Sequence, residues 1–572
     1  MQTPTAFRTL IDLFNESISQ VQPADKLCLE IIRTDRHEQL TFEQLQRRTR
    51  NFASWLITSR DIRVGDKIAI LSKNRTDWDV AIWGIILTGA IPVLIDPERG
   101  PDGVIGHLLH TETRLLVVAD DYQDPAGRQQ LKEFASSNNI GVVEMTDTPL
   151  GDAAQEQVDS MDQISARIDP EDTAVILCTS GTTGDPREVE LTHANLVTNI
   201  EGSLEKIIIT GEDRLGHILP PHHSFGMTVG KMLALRAGAT NYYTNVYRQI
   251  SQLIADKQIT IFIATPALYT VLAKKFEDSL AKQKQSKPLV KVLDRYRPKL
   301  VGKKIIDKMG WTKLRFFLSG AAPMPKWVLD VFWRRGIKLY EGYGTTENSP
   351  VYGFNDDPHK LGSVGKPIPN LYVQITNDKK EILPPGEKGE ICLGGPCIMK
   401  GYYKNPESTN AVIRTDDKGV RWLHTGDLGY LDDEGNVYIT GRKKYLIVLP
   451  GGKNVNPELV ESALSEAPFV GELLIVPGER TDSAGVAQET IRAIVQPAWD
   501  VIEAHANLSQ AELVEQPQLL KTLVWQSISE CQQKNKQLAH FEMIASNHLE
   551  IKIDEFQKTS TGKIRREVYM KA

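Results

Sequence analysis

A chain of 572 residues is longer than one hydrophobic core serves, so two or more domains are expected. Its composition, 41% hydrophobic and 24% charged, is that of a soluble globular enzyme and argues against a disordered scaffold. With 67 Lys plus Arg against 73 Asp plus Glu, the net charge of −6 gives no general attraction to nucleic acid, so any polyanion must be met locally.

The five cysteines (Cys28, Cys178, Cys392, Cys397, Cys531) lack the repeated close pairs of zinc sites, and a reducing, cytoplasmic setting is expected. No basic stretch leads into an apolar core at the N-terminus, so no signal peptide is expected. In chain order, Thr41 to Leu56 has helical spacing and Lys67 to Leu71 reads as a strand. The longest apolar run, Val80 to Ile95, falls short of the ~20 residues of a bilayer span and contains Gly84, Gly89 and Pro92. It predicts a buried helix running into a strand at Ile91 to Ile95; no integral membrane segment follows, although peripheral membrane association stays open. Further strands are expected at Leu115 to Ala119, Ala174 to Leu177 and Ile259 to Ala264, and this alternation favours an α/β architecture.

Thr179 to Arg187 reads Thr-Ser-Gly-Thr-Thr-Gly-Asp-Pro-Arg, directly after an apolar strand and shortly before helix-start chemistry at Leu191 to Leu196. Glycines let backbone N–H groups approach an oxyanion, hydroxyls add donors and a guanidinium adds charge, so the loop suits phosphate. It lacks the Gly-Lys-Ser/Thr ending of a P-loop, and alone it reads equally as a flexible linker. From about Gly362 the texture changes to short strands punctuated by Gly, Pro, Asn and Asp, which predicts a β-rich subdomain. After Arg442 a unit of about 130 residues follows, in which Leu520, Leu523, Val524, Ile528 and Cys531 share one helix face. No internal repeat is evident.

Five more segments supply what a nucleotide reaction needs. Leu318 to Pro323 contributes the small residues Gly320, Ala321 and Ala322, and Tyr340 to Glu347 contributes Gly342, Tyr343, Gly344, Thr345, Thr346 and Glu347. Small residues admit a flat base, Tyr343 offers a stacking face, Thr346 a hydroxyl for phosphate, and Glu347 a hard oxygen ligand for Mg2+. Asp427, between glycines, suits two ribose hydroxyls. Arg442 carries a fixed charge for ribose or phosphate oxygens. Lys563 lies on the glycine-containing stretch Thr559 to Arg566, free to swing into a site and out. Singly, each segment reads as a turn or a solvated tail.

Together and in this order, from about Leu40 to Arg566, the motifs resemble the AMP-forming adenylating superfamily of acyl-CoA synthetases, luciferases and peptide-synthetase adenylation domains. His222-His223-Ser224-Phe225-Gly226, Ser319 to Pro323 and Leu361 to Pro367 most resemble medium- and long-chain fatty acyl-CoA synthetases. The resemblance implies a large N-terminal adenylation domain over 1–441 and a small mobile α+β domain over 442–572, with a hinge at Lys444. It implies ATP, Mg2+ and CoA as cofactors, and a carboxylic acid, a fatty acid in the narrower match, as substrate. Thr179, Ser180, Gly181, Thr182, Thr183, Gly184 and Arg187 are then the β- and γ-phosphate loop. Thr346 and Lys563 meet the α-phosphate, Glu347 holds Mg2+, His223 gates the acid pocket, and Gly451 and Gly452 admit the thiol after domain rotation. Neither His222 nor His223 has zinc-site spacing, and ordinary packing is their alternative reading.

The chain departs from that pattern at Arg187-Glu188, where relatives usually carry Lys-Gly or Lys-Ala; Arg keeps the charge, but Glu188 sets an anion near the expected pyrophosphate site unless it points away. Cys178 replaces a common tyrosine and has no visible reason to be reactive. Two alternatives stand beside the CoA ligase: transfer of the acyl group to a carrier protein's phosphopantetheine, and a catalytically silent nucleotide or lipid binder.

Overall fold

The computed structural model describes residues 8–122, 125–145, 164–179, 187–286, 288–449, 453–481, 487–535, 538–559 and 562–570. Two large sheets organise the first two thirds of the chain. A nine-stranded sheet runs in the order 366–367, 353–355, 339–343, 316–319, 261–264, 214–217, 240–244, 27–32 and 37–41. A seven-stranded sheet runs 401–402, 187–192, 173–179, 91–94, 67–71, 115–118 and 141–144.

The long apolar run resolves as expected into the helix Thr76–Leu87 and the strand Ile91–Leu94. Trp78 to Leu87 are all buried, so this helix is apolar all round because protein surrounds it. No helix among the described residues is long and apolar enough to cross a membrane. The first predicted helix is Phe42–Arg60, capped by Thr41, which accepts from the Gln44 amide while Gln44 reaches back in a capping box. Strands Lys67–Leu71, Leu115–Val118 and Ile261–Ala264 occupy the predicted places. The helix start after the phosphate-loop motif sits two residues later than Leu191. The strand Arg187–Thr192 first pairs back on Thr173–Thr179, and Thr192 then caps the helix His193–Lys206.

The β-rich texture after Gly362 becomes a five-stranded antiparallel sheet that holds Tyr372–Thr376, Gly389–Gly394, Ile413–Thr415, Arg421–Leu431 and Val437–Arg442. Beyond it, Ile447 to Leu549 contribute a hydrophobic cluster of their own, built on a two-stranded and a three-stranded sheet and the helix Pro517–Lys534. On that helix Leu520, Val524 and Ile528 are buried, the face read from the sequence. This last unit touches the rest through a hydrogen bond from Lys274 Nζ to the Val470 carbonyl (2.7 Å) and one from Trp327 Nε1 to Ser465 Oγ (3.1 Å).

The segment bearing Lys563 is anchored from behind by Arg566, which is 7% exposed. Its guanidinium donates to both oxygens of Glu461 (2.7 and 2.6 Å) and to the Ile475 carbonyl (2.7 Å). Removing one member of such a pair strands a buried charge, whereas replacing both with apolar groups is often neutral. Arg566→Leu is therefore expected to weaken the last unit by about 3 kcal/mol, and adding Glu461→Leu to recover much of it. Hydrogen-exchange protection of the strand Val470–Thr481 is the measurement; equal protection in wild type and the single variant would refute the anchor.

Candidate active site

Strands Phe316–Ser319 and Leu339–Tyr343 are parallel, with Ser319 opposite Glu341, so the loops that follow them leave the sheet side by side. This places Gly320, Ala321 and Ala322 near Gly342, Tyr343 and Gly344, and all but Gly320 are half-buried, so this side of the candidate cleft is reachable from solvent. At Gly344 a Cβ would stand 1.6 Å from the Pro350 carbonyl oxygen, so only glycine permits the turn. Thr345 opens the short turn Thr346–Asn348, its amide donating to Asn348 Oδ1 at 2.6 Å. Thr346 Oγ1 lies 3.0 Å from Ser224 Oγ, which joins this turn to the His222-His223-Ser224 segment.

Asp427 and Arg442 are cross-strand partners in the five-stranded sheet. The Asp427 carboxylate, 3% exposed, accepts from Tyr343 Oη at 2.6 Å and pairs with Arg442 Nε at 2.8 Å. That pairing pushes the guanidinium further up than its ordinary value. Thr179 and Arg187 are also cross-strand partners, at the base of the hairpin, and Thr179 Oγ1 donates to the Arg187 carbonyl at 3.0 Å. The Arg187 guanidinium lies 5.0 Å over the Tyr402 ring and donates to its hydroxyl at 3.4 Å, while that hydroxyl donates to Glu347 Oε1 at 2.9 Å. Ser180, Gly181, Thr182, Thr183 and Gly184 lie outside the described residues, as do Gly451 and Gly452.

Lys563 comes from the far end of the chain into this group. Its backbone closes a tight turn with Thr559, and its ammonium feels Arg442, Glu458 and Asp427. Burial of the charge and then the like charge of Arg442 push it down to about 8. By accessible area the side chain is still exposed, so solvent moderates the shift. Gly441, with φ of +139°, makes room for this approach: a Cβ there would strike the Asn456 side chain at 1.5 Å. Asn456 in turn caps the helix Pro457–Leu464, which carries Glu458. Lys444 sits in the short turn Lys443–Tyr445 and pairs with Glu567 at 3.6 Å.

His223 is within electrostatic reach of Lys563; burial, helped by His222, pushes it down to about 3, and burial pushes His222 to about 4. Both imidazoles are neutral at physiological pH and suited to hydrogen bonding. Although their spacing is not that of a zinc site, Asp96 comes to the same place, His222 Nε2 lying 3.4 Å from its carboxylate. Glu188 turns to the strand face opposite Arg187 and pairs with His107 and His110, which removes its charge from the cleft. Cys178 is buried and its thiol is pushed well up, first by burial and then by Glu188, so it is not a reactive thiol.

Sequence reasoning missed Tyr402, Ser224, Asp96 and Glu458. Tyr402, Asp96 and Glu458 are brought here by tertiary placement, with no local motif to mark them, whereas Ser224 lies inside the His222 to Gly226 motif but was given no role there. The arrangement presents three cations, neutral imidazoles, a fixed carboxylate between a phenol and a guanidinium, and a second carboxylate with one oxygen bound by Tyr402. It can receive a polyanion with a polar ring system.

Residues 16–403 match the family model described as AMP-binding enzyme. The long-chain-fatty-acid–CoA ligase of Escherichia coli O6:H1 is 25% identical over 85% of each chain. The 4-coumarate–CoA ligase 2 of Petroselinum crispum is 30% identical, covering 81% of this chain and 80% of its own. Among solved structures, ATP-bound MatB from Rhodopseudomonas palustris superposes with a TM-score of 0.73 at 23% identity over 98% of both chains.

The Asp427–Arg442 pair yields a stability prediction. Fully buried pairs cost roughly 3–5 kcal/mol to break, but Arg442 is a third exposed, so Asp427→Asn is expected to cost about 2 kcal/mol. Denaturant unfolding without ligand measures it, and unchanged stability would show that the pair carries no structural weight.

Proposed function

Since the chain belongs to the AMP-binding enzyme family, we propose that it is an ATP-dependent acid–CoA ligase that activates a medium- or long-chain fatty acid in two steps. The observation that carries this reading is the approach of Lys563 to Asp427, Arg442 and His223 from the opposite end of the sequence. In the first step the fatty acid carboxylate attacks the α-phosphorus of ATP, the bond to the bridging oxygen breaks, and pyrophosphate leaves. Two anions must approach, so the residues' main task is to offset repulsion where charge builds.

Asp427 accepts the ribose hydroxyls while Tyr343 and Arg442 hold it in place. Gly320, Ala321, Ala322, Gly342 and Gly344 receive the base through their backbone, the glycines being packed on Phe225, Phe354 and the Pro350 carbonyl. Thr346 and Lys563 donate to the α-phosphate; Thr179 and Arg187, with the loop between them, receive the β- and γ-phosphates. Glu347 fits Mg2+ by donor chemistry, since Tyr402 binds one carboxylate oxygen and the other is left for a hard cation among the described residues. That ion, when bound, supplies further neutralisation of the phosphates. His223, neutral and beside Asp96 and His222, contacts the acid's carboxylate without adding a competing charge.

In the second step the CoA thiol attacks the acyl-adenylate carbonyl, forming the thioester and releasing AMP. Lys563 must withdraw for that approach, and we place the pivot at Lys444, with Gly451 and Gly452 admitting the thiol arm. Domains 1–441 and 442–572 are the bodies that turn. The relatives named as CoA ligases support CoA over a carrier protein, and His222 to Gly226 together with the E. coli ligase supports a fatty acid.

A panel of fatty acids of graded length beside 4-coumarate, assayed by pyrophosphate release with and without CoA, tests the substrate. Fatty acids should give the higher kcat/KM and thioester only with CoA; a preference for 4-coumarate would overturn the fatty acid assignment. Lys563→Ala should lower adenylation by roughly 10²–10³ while sparing thioester formation from supplied acyl-adenylate. Because the lysine's pKa is lowered, its charged form is lost as pH rises through about 8, so kcat/KM for ATP in pyrophosphate exchange should fall above that pH. Lys563→Arg should shift this alkaline limb upward; an identical limb in the variant would take the titration away from Lys563.

A further inference from the structure

Behind the hairpin that carries Thr179 and Arg187 lies a second polar cluster that the adenylation chemistry does not use. Cys178 and Glu188 are cross-strand partners, one pair further into the sheet than Thr179 and Arg187. Side chains alternate along a strand, so they face away from the cleft. They meet the last turn of the helix Pro101–His110, where His107 and His110 stand three residues apart on one face. His107 Nδ1 is 2.6 Å from Glu188 Oε1, and His110 Nδ1 is 3.0 Å from Glu188 Oε2.

One ligand atom from each of His107, Cys178 and Glu188 lies within 4.8 Å of the others, and all three residues are buried. The side chains of His107 and Glu188 are 1% and 5% exposed. His107 Nε2 is buried without a hydrogen-bond partner among the described residues, so the ring is held through Nδ1. We propose that His107, Cys178 and Glu188 form a zinc-type metal site of three protein ligands, with the fourth position open, that clamps the helix Pro101–His110 to the base of the phosphate-loop hairpin.

The donor set of thiolate, imidazole and carboxylate is of the borderline kind that takes Zn2+ or Co2+ in tetrahedral geometry. Metal bonds of ~2.0–2.3 Å imply ligand separations of roughly 3.3–3.8 Å, within the span the buried atoms already keep. Loading is a proton exchange without redox change: the ion bonds sulfur, nitrogen and oxygen, and the thiol proton and the proton shared between Glu188 and His107 leave to solvent. The hydrogen bond between those two residues opens as the ion enters. Asp96, His222 and His223 also lie close enough to hold an ion. There, however, the Lys563 ammonium is within electrostatic reach and disfavours a second cation. At Glu188 the ion-pair partners are two imidazoles, which can give up a proton to make way for an ion.

The test uses the full-length protein stripped of metal and titrated with Co2+ alone. One equivalent should produce thiolate-to-cobalt charge-transfer absorption, displaced by Zn2+. Cys178→Ser, checked for an unchanged melting curve, should abolish the band, and Glu188→Gln should weaken binding by more than the roughly tenfold typical of losing an outer partner. No band in wild type, or a band that survives Cys178→Ser, overturns the site in favour of a metal-free hydrogen-bonded brace. Should Cys178→Ser fail to fold, zinc-edge X-ray absorption on loaded wild type decides: one sulfur among the ligands supports the site, and only nitrogen and oxygen ligands refute it.

Discussion

The cleft depends on one buried carboxylate. Asp427 is held between Tyr343 Oη and Arg442 Nε, and the first of these contacts joins the nine-stranded sheet to the five-stranded sheet. Its charge is also what allows two cations, Arg442 and Lys563, to share a small volume, because Asp427 and Glu458 together oppose their mutual repulsion. Without that carboxylate, desolvation and Arg442 would drive the lysine further towards its neutral form. An ammonium poised in this way is easily repolarised, since an anion arriving in the cleft raises its pKa and fixes the charge where it is wanted.

The phosphate-loop side solves a different electrostatic problem. Arg187 and Glu188 are adjacent in sequence, and a carboxylate there would repel a polyanion if both faced the cleft. Strand alternation separates them: Arg187 rests over Tyr402, while Glu188 is buried against two histidines. Burial pushes the Glu188 carboxyl up, but hydrogen bonds and charge from His107 and His110 outweigh it and leave the carboxyl below its ordinary range. The acid thus stays ionised yet is answered locally, and the cleft keeps its positive character.

Legibility from sequence followed the range of the interactions. Elements set by local pattern were readable: the capped helix from Thr41, the apolar helix from Thr76, the strand Lys67–Leu71 and the helix face of Leu520, Val524 and Ile528. The motif residues Thr346, Glu347, Asp427 and Arg442 stand out in the sequence by their neighbours; the fold puts the first two in a short turn, Asp427 within the strand Arg421–Leu431 and Arg442 at the end of its strand. The helix start within Leu191 to Leu196 was readable too: Thr192 ends the strand Arg187–Thr192 and caps the helix His193–Lys206. Tyr402 and Glu458 stayed hidden because nothing in their own surroundings distinguishes them; Tyr402 matters only because its short strand pairs with Arg187–Thr192.

Gly441 shows how tertiary packing gives a local residue its meaning. In sequence it is one of many glycines beside a basic run, consistent with a turn. In the fold it is the point where the five-stranded sheet passes under Asn456, and the space left by its missing Cβ is filled by that side chain. Asn456 caps the helix that carries Glu458, so the same contact that requires glycine at 441 also sets the distance of an acid from Lys563. A side chain at 441 would push the last unit outward, and the first thing lost would be the balance of charge around the ammonium. The electrostatics of the cleft are in this sense a packing result.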